Sequence, residues 1–155
     1  MAAREDPLTG LANRRMWDER LDEELERSRR TGAALSVAMI DLDDFKRMND
    51  VSGHDAGDRL LRGLARAWLA IVRTSADFLA RLGGDEFGVV APNSDETGIH
   101  RLASRLKDAL LEGISTSFGT ATWDGTENAS DLLRRADRAM YQSKRRWRRQ
   151  RLDSA

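Results

Sequence analysis

The chain has 155 residues, 40% of them hydrophobic and 34% charged, with 26 basic residues balancing 26 acidic ones. That size and balance fit one globular domain able to bury about two thirds of its surface, and exclude a disordered chain. Cysteine is absent and only His54 and His100 are present, which excludes disulfides, zinc–thiolate centres, thiol nucleophiles and a His-rich metal site. No apolar run is long enough for a membrane span or a secretory leader, so the expectation is a cytoplasmic domain without membrane contact.

Pro7 to Asn13 is rich in turn formers. Trp17, Leu21 and Leu25 recur every four residues, which predicts a helix from about Arg14 to Arg30, ended by Gly32. Leu35 to Ile40 reads as a strand that runs into Asp41-Leu42-Asp43-Asp44. Extended alternation would put Asp41 and Asp43 on one face. A short helix over Phe45 to Asp50 is broken at Ser52-Gly53. The 3.6 period of Leu60, Leu61, Leu64, Ala65, Trp68, Leu69 and Val72 predicts a long helix from about Asp55 to Arg73.

Phe78 to Leu82 and Phe87 to Ala91 are strand candidates around Gly83-Gly84-Asp85-Glu86, a β-hairpin pattern. Asn93 with Glu96 reads as a capping box for a helix through about Leu111. Ile114 to Thr122 is β-rich and split by Gly119. A last helix begins near Ala129, with Leu132, Leu133, Ala136, Ala139 and Met140 on its inner face. The sum is a single α/β domain over residues 1–155, with a mixed central sheet and helices on both faces.

The chemistry-bearing residues are mostly acidic. If the hairpin lies beside the strand ending at Ile40, the carboxylates of Asp41, Asp43, Asp85 and Glu86 converge, and like charges so close call for a cation. Oxygen donors without Cys or His point to Mg²⁺ or Mn²⁺ rather than zinc. Such a site is commonly completed by phosphate oxygens, which suggests a nucleotide. Asp44-Phe45-Lys46 opens a helix whose free N–H groups suit an anion. Lys144 and Arg148 lie four apart in a run of six cations, on one side of a helix. That run reads equally as a solvated terminal helix. Asn49 and Asp58 could read a guanine edge, or act as turn formers and caps. The Walker and dinucleotide fingerprints are absent.

Arg81-Leu82-Gly83-Gly84-Asp85-Glu86-Phe87 resembles the motif that names the GGDEF domains, the diguanylate cyclases. The similarity extends to Asp6-Pro7-Leu8-Thr9-Gly10-Leu11-Ala12-Asn13-Arg14-Arg15 and Asp41 to Lys46. It continues through Asn49-Asp50, Gly53 to Asp58, Ser117-Phe118-Gly119 and Ala136 to Lys144, covering nearly the whole chain in the family's order. The resemblance implies a fold like nucleotidyl cyclases and polymerase palms. It implies condensation of two GTP into cyclic di-GMP, with release of two pyrophosphates. By position it makes Asp41, Asp85 and the Leu42 carbonyl metal ligands, with Asp43 nearby. Glu86 becomes the acid that helps deprotonate the attacking ribose hydroxyl. Asn49 and Asp58 become the guanine pair, Phe45 and Lys46 the phosphate loop, and Lys144 and Arg148 the triphosphate cations. It also implies a transient antiparallel homodimer that completes the active site, and control by a sensor or receiver domain in the parent protein. No stalk-like segment precedes Asp6, and nucleic acid is not an expected partner.

Two departures carry expectations. The family's product-binding R-x-x-D retains its aspartate as Asp77, but Thr74 stands in the arginine position and Arg73 falls one place off. Weak or absent product inhibition is therefore expected. The family tail A-K-x-x-G-R-N runs here as Ser143-Lys144-Arg145-Arg146-Trp147-Arg148-Arg149, with Trp147 in place of glycine.

Overall fold

The computed structural model describes residues 3–72 and 76–154. In chain order these form α1 (Arg14–Thr31), β1 (Leu35–Leu42), α2 (Phe45–Ser52), α3 (His54–Val72), β2 (Phe78–Gly83), β3 (Glu86–Pro92), α4 (Glu96–Asp108), β4 (Thr116–Thr122) and α5 (Ala129–Asp153). The order of helices and strands is the one expected.

The strands lie in the order β2-β3-β1-β4. An α/β sheet with helices on both faces was expected, and is present. The expected mixed pairing is not, because every neighbouring pair of strands is antiparallel. The reason is topological. The crossover through α2 and α3 brings β2 back in the direction of β1, and the crossover through α4 brings β4 back in the direction of β3. Each crossover skips one place, and a strand of the other fills the gap. Among the described residues, the one parallel pairing is the isolated bridge between Ala12 and Ala80.

Alternation along the strands feeds two cores. Leu35, Val37 and Met39 of β1 pack with Trp17, Leu21 and Leu25 of α1 and with Leu132 and Ala136 of α5. Ala38, Ile40 and Leu42 point the other way, into Leu61, Leu64 and Trp68 of α3 and Ile99, Leu102 and Leu106 of α4. Trp68 anchors the second core: its indole meets Phe87 edge-on at 5.2 Å, and its Nε1 donates to the Leu106 carbonyl at 3.0 Å. That bond satisfies a polar group that is costly to bury unpaired.

Local signals differ from expectation in α4 and β4. Helix α4 is capped by Asp95, whose side chain accepts from Gly98 N, and not by Asn93, which sits in a left-handed turn at φ 57°. The helix also ends at Asp108, short of Leu111. Strand β4 runs unbroken through Gly119. The glycine is there for contact, since a Cβ on it would collide with the backbone of α5 at Ala136 and Met140. Among the described residues, no helix is long and apolar enough to cross a membrane.

Gly119→Ala should therefore push α5 off the sheet. Overpacking of this kind costs about 3 kcal/mol, readable as a lower urea midpoint. An unchanged midpoint would show that α5 is not seated on this strand.

Candidate active site

The stripe of β1 that faces α1 and α5 is apolar through Met39 and then acidic. Asp41 and Asp43 continue that face, as alternation demands. Strand β3 pairs directly with β1, so Glu86 lies opposite Asp41, and the Asp85 carbonyl accepts from Leu42 N at 3.2 Å. The charge of Asp85 bears on the Asp41 carboxyl. The expected convergence of acids at the strand end is thus present.

The acids are not equivalent. Asp43 has no exposed side-chain surface; its two oxygens accept from Ser117 Oγ at 2.7 Å and Ser115 Oγ at 2.6 Å. It is a braced internal group. Asp41 is half-buried, with Oδ2 paired to Lys144 Nζ at 2.6 Å while the buried Oδ1 has no partner. Burial pushes the Asp41 carboxyl up; Lys144 opposes this and Asp85 adds to it. Glu86 is exposed at the hairpin tip, yet it too is pushed up, first by partial burial and then by the charges of Asp41 and Asp137. Asp137, one turn before Tyr141 on α5, is raised by burial against the opposing charge of Arg14.

The hairpin tip is held from outside the sheet. Arg81 donates to both carboxylate oxygens of Asp6, at 3.0 and 3.1 Å, and to the Gly84 carbonyl at 2.7 and 3.1 Å. Asp6 in turn accepts from Thr9 N and Oγ1. Burial pushes the Asp6 carboxyl up, but the bonds from Thr9 and Arg81 outweigh it and hold the group below the usual carboxylate range. The turn-rich opening segment is therefore a brace for the glycine turn. Sequence reasoning assigned no role to Asp6, Arg81, Ser115 or Ser117. Their partners lie 72 to 75 residues away, and no local pattern announces such a pairing.

Lys144 lies on the inner stripe of α5, one turn past Met140. Its ammonium touches Asp41, the Leu42 carbonyl at 3.3 Å and, more distantly, Asp43 at 3.9 Å. Arg148 follows one turn later on the same face and is exposed. Lys46 is exposed on the first turn of α2, and Phe45 packs against the core beside it. Asn49 lies at the junction of α2 and α3, where a Cβ on Gly57 would collide with its amide. Gly57 thus makes room for Asn49, whose buried Oδ1 has no partner. Asp58 is the next residue along α3. Asp77 immediately precedes β2, whereas Arg73 and Thr74 lie outside the described residues.

The donor set fits a hard divalent ion. Oxygen donors lie at the strand end in Asp41, whose buried Oδ1 has no partner, and the neighbouring Leu42 carbonyl. Among the described residues, no three His, Cys, Asp or Glu side chains are grouped to hold a metal by themselves. Phosphate or water oxygens would have to complete such a coordination shell.

This antiparallel sheet, with acids at the end of its central strand and at the adjoining hairpin, defines a palm-like α/β domain. Residues 3–150 match the family "Diguanylate cyclase, GGDEF domain", and the chain belongs to that family. It is 39% identical over 150 residues to diguanylate cyclase DgcP of Pseudomonas aeruginosa, covering 90% of this chain and 22% of that protein. It is also 39% identical over 153 residues to the cyclic di-GMP phosphodiesterase NbdA of the same organism, covering 92% of this chain and 19% of NbdA. The chain thus spans about a fifth of the length of these curated relatives. The crystal structure of the GGDEF domain of DgcB from Caulobacter crescentus, in complex with c-di-GMP, superposes with a TM-score of 0.87 at 30% identity, covering 94% of this chain and 92% of that one.

The raised Glu86 carboxyl has a consequence for stability. Its ionised form is disfavoured in the fold, so the penalty is absent below its unfolded pKa and fully present above its raised folded value. Glu86→Gln should stabilise the domain at pH 7.5, by about half a kcal/mol given its exposure, and the gain should vanish near pH 4. Thermal melts at the two pH values check this.

Proposed function

We propose that this domain condenses two GTP into cyclic di-GMP and two pyrophosphates, working as a transient antiparallel homodimer in which each protomer holds one GTP. The observation that carries the reading is the convergence of Asp41, Asp85 and Glu86 beside the Leu42 carbonyl, with Lys144 and the start of α2 around them. Family membership supports the same activity.

Bound Mg²⁺ or Mn²⁺ would supply Lewis acidity, lowering the pKa of the ribose 3′-hydroxyl and offsetting charge on the triphosphate. Asp41, Asp85 and the Leu42 carbonyl are the groups that would hold it. Glu86, made more basic by its surroundings, is placed to accept the hydroxyl proton. Phe45 and Lys46 present the N-terminus of α2 to phosphate oxygens, and Lys144 and Arg148 supply positive charge from α5. The Asn49 amide, with its unpartnered Oδ1, and the Asp58 carboxylate match the donor and acceptor edge of guanine. Bringing the two nucleotides into line is the work of the dimer, and proximity arguments make that alignment rate-limiting.

Control by a sensor or receiver domain of a longer protein is part of the proposal, as is weak feedback by product, given Thr74 where the family has arginine. A second reading is a GTP-binding regulatory module without turnover of its own. The similarity to NbdA, a protein named for phosphodiesterase activity, favours keeping it.

GTP and Mg²⁺ incubated with the domain at high micromolar concentration should yield cyclic di-GMP and pyrophosphate. Nucleotide binding without cyclic product would leave only the regulatory reading. Asp85→Ala should lower turnover by about 100-fold or more. Asp58→Ala should keep turnover measurable but cut the preference for GTP over ATP by about tenfold or more, seen in competition assays.

A further inference from the structure

Strand β4 ends the sheet: β1 lies on one side of it and, among the described residues, no strand lies on the other. Just outside its ends, Trp123 N donates to the Leu35 carbonyl and Asp43 N to the Ser115 carbonyl. The odd-numbered residues of this stretch therefore turn their main chain to β1, in register with it. Antiparallel alternation then turns the N–H and C=O of Phe118, Thr120 and Thr122 outward. The Thr122 carbonyl accepts from Arg135 at 2.5 Å. Among the described residues, no hydrogen bond reaches the outward groups of Phe118 and Thr120. The strand itself, TSFGTAT, carries neither charge nor proline, the usual guards of a free edge.

That edge is the floor of a groove. A cavity of about 390 Å³ runs over Phe118, Gly119 and Thr120, between His100, Ser104 and Lys107 of α4 and Ala139, Gln142 and Arg146 of α5. A second cavity, of about 220 Å³, shares His100 and Thr120 with the first and continues to Thr122 and Arg135. Helical spacing builds both walls, since residues i, i+4 and i+7 share a face. Arg146 stands two places past Lys144, about 200° around the helix, so this wall is not the one that meets the acids of the candidate active site.

Charge is concentrated at the Phe118 end. Lys107 lies over the Phe118 ring, 5.1 Å from its centre, and Arg146 stands on the opposite wall. Among the described residues, neither is in an ion pair. At the other end Arg135 is already paired with Glu127, and Glu96 lines the wall.

We propose that the outer edge of β4 is a docking site for an extended acidic segment of a second protein, added to the sheet as a further strand. Main-chain bonds to Phe118 and Thr120 supply affinity, and the two free cations set the register. Consecutive side chains of a strand point to opposite faces, so two adjacent acidic residues meet Lys107 on one wall and Arg146 on the other. A second copy of this chain does not suit the groove. Its own β4 edge is recessed between the same two helices, and the walls would meet before the strands came within the roughly 4.8 Å of a ladder. A lone segment brings no walls.

The probe is a short synthetic peptide of alternating threonine and valine around a central pair of glutamates, with a pair of lysines replacing them in the control. Each is titrated into the 155-residue chain, and amide exchange is read residue by residue by NMR. In dilute protein without peptide, the Phe118 and Thr120 amides should exchange about tenfold faster than those of Gly119 and Ala121, which face β1. Saturating glutamate peptide should slow the Phe118 and Thr120 amides about tenfold, and the lysine peptide should leave them unchanged. Lys107→Glu combined with Arg146→Glu, both at exposed positions, should weaken the glutamate peptide about tenfold. Thr120→Pro, which removes an outward N–H and no bond to β1, should weaken it about as much. Amides of Phe118 and Thr120 that are already protected in dilute protein, or that stay fast at millimolar glutamate peptide, overturn the proposal. Equal slowing by the lysine peptide also overturns it, because the partner is then not an acidic one. Protection that grows with protein concentration alone would give the edge to a second copy and overturn it as well.

Discussion

Negative charge gathered at one end of the central strand is the constraint around which the rest of this structure is arranged. Asp41, Asp43, Asp85 and Glu86 meet there because β3 is inserted directly beside β1. Side by side, such groups repel and lose hydration. The fold answers with several devices. Two serine hydroxyls take both oxygens of Asp43, Lys144 brings an ammonium to Asp41 and Asp43, and Arg81 with Asp6 fixes the glycine turn from outside. What remains unanswered is one buried oxygen of Asp41 and the raised carboxyl of Glu86.

Helix α5 links the core to that chemistry along a single face. Leu132, Ala136 and Met140 bind it to the sheet, Lys144 meets the acids, and Arg148 and Arg151 continue outward. The close seat on Gly119 sets the height of the whole stripe above β4. A shift of the helix by a fraction of a turn would move the Lys144 ammonium from its 2.6 Å contact. Packing in the core and charge placement at the site are therefore one problem rather than two. The two large cores supply the stability that offsets the cost of strained electrostatics at the strand end.

Much of this was legible in the chain itself. The 3.6 period of Leu61, Leu64, Trp68 and Val72 fixes a helix because those side chains share one face whatever the neighbours are. The glycine pair between two apolar runs fixes a hairpin because Gly83 and Gly84 both adopt positive φ, at 159° and 39°. The family was legible as a whole, since the order and spacing of its motifs run over nearly all of the chain. Less visible were the Asp95 cap, where a competing Asn93 suggested another start, and Gly119, which reads as a strand breaker but serves a helix contact.

What the sequence determined by itself is local: period, turn chemistry, the identity of the acids and the absence of soft metal ligands. These follow from the backbone and side-chain chemistry of short segments. Strand order, the antiparallel pairing, the Arg81–Asp6 brace, the serine cradle of Asp43 and the seat of Lys144 were decided only by tertiary structure. The brace, the cradle and the Lys144 seat join residues some 70 to 100 positions apart, and their meeting depends on which edge the crossovers land on, a choice made by the packing of both cores at once.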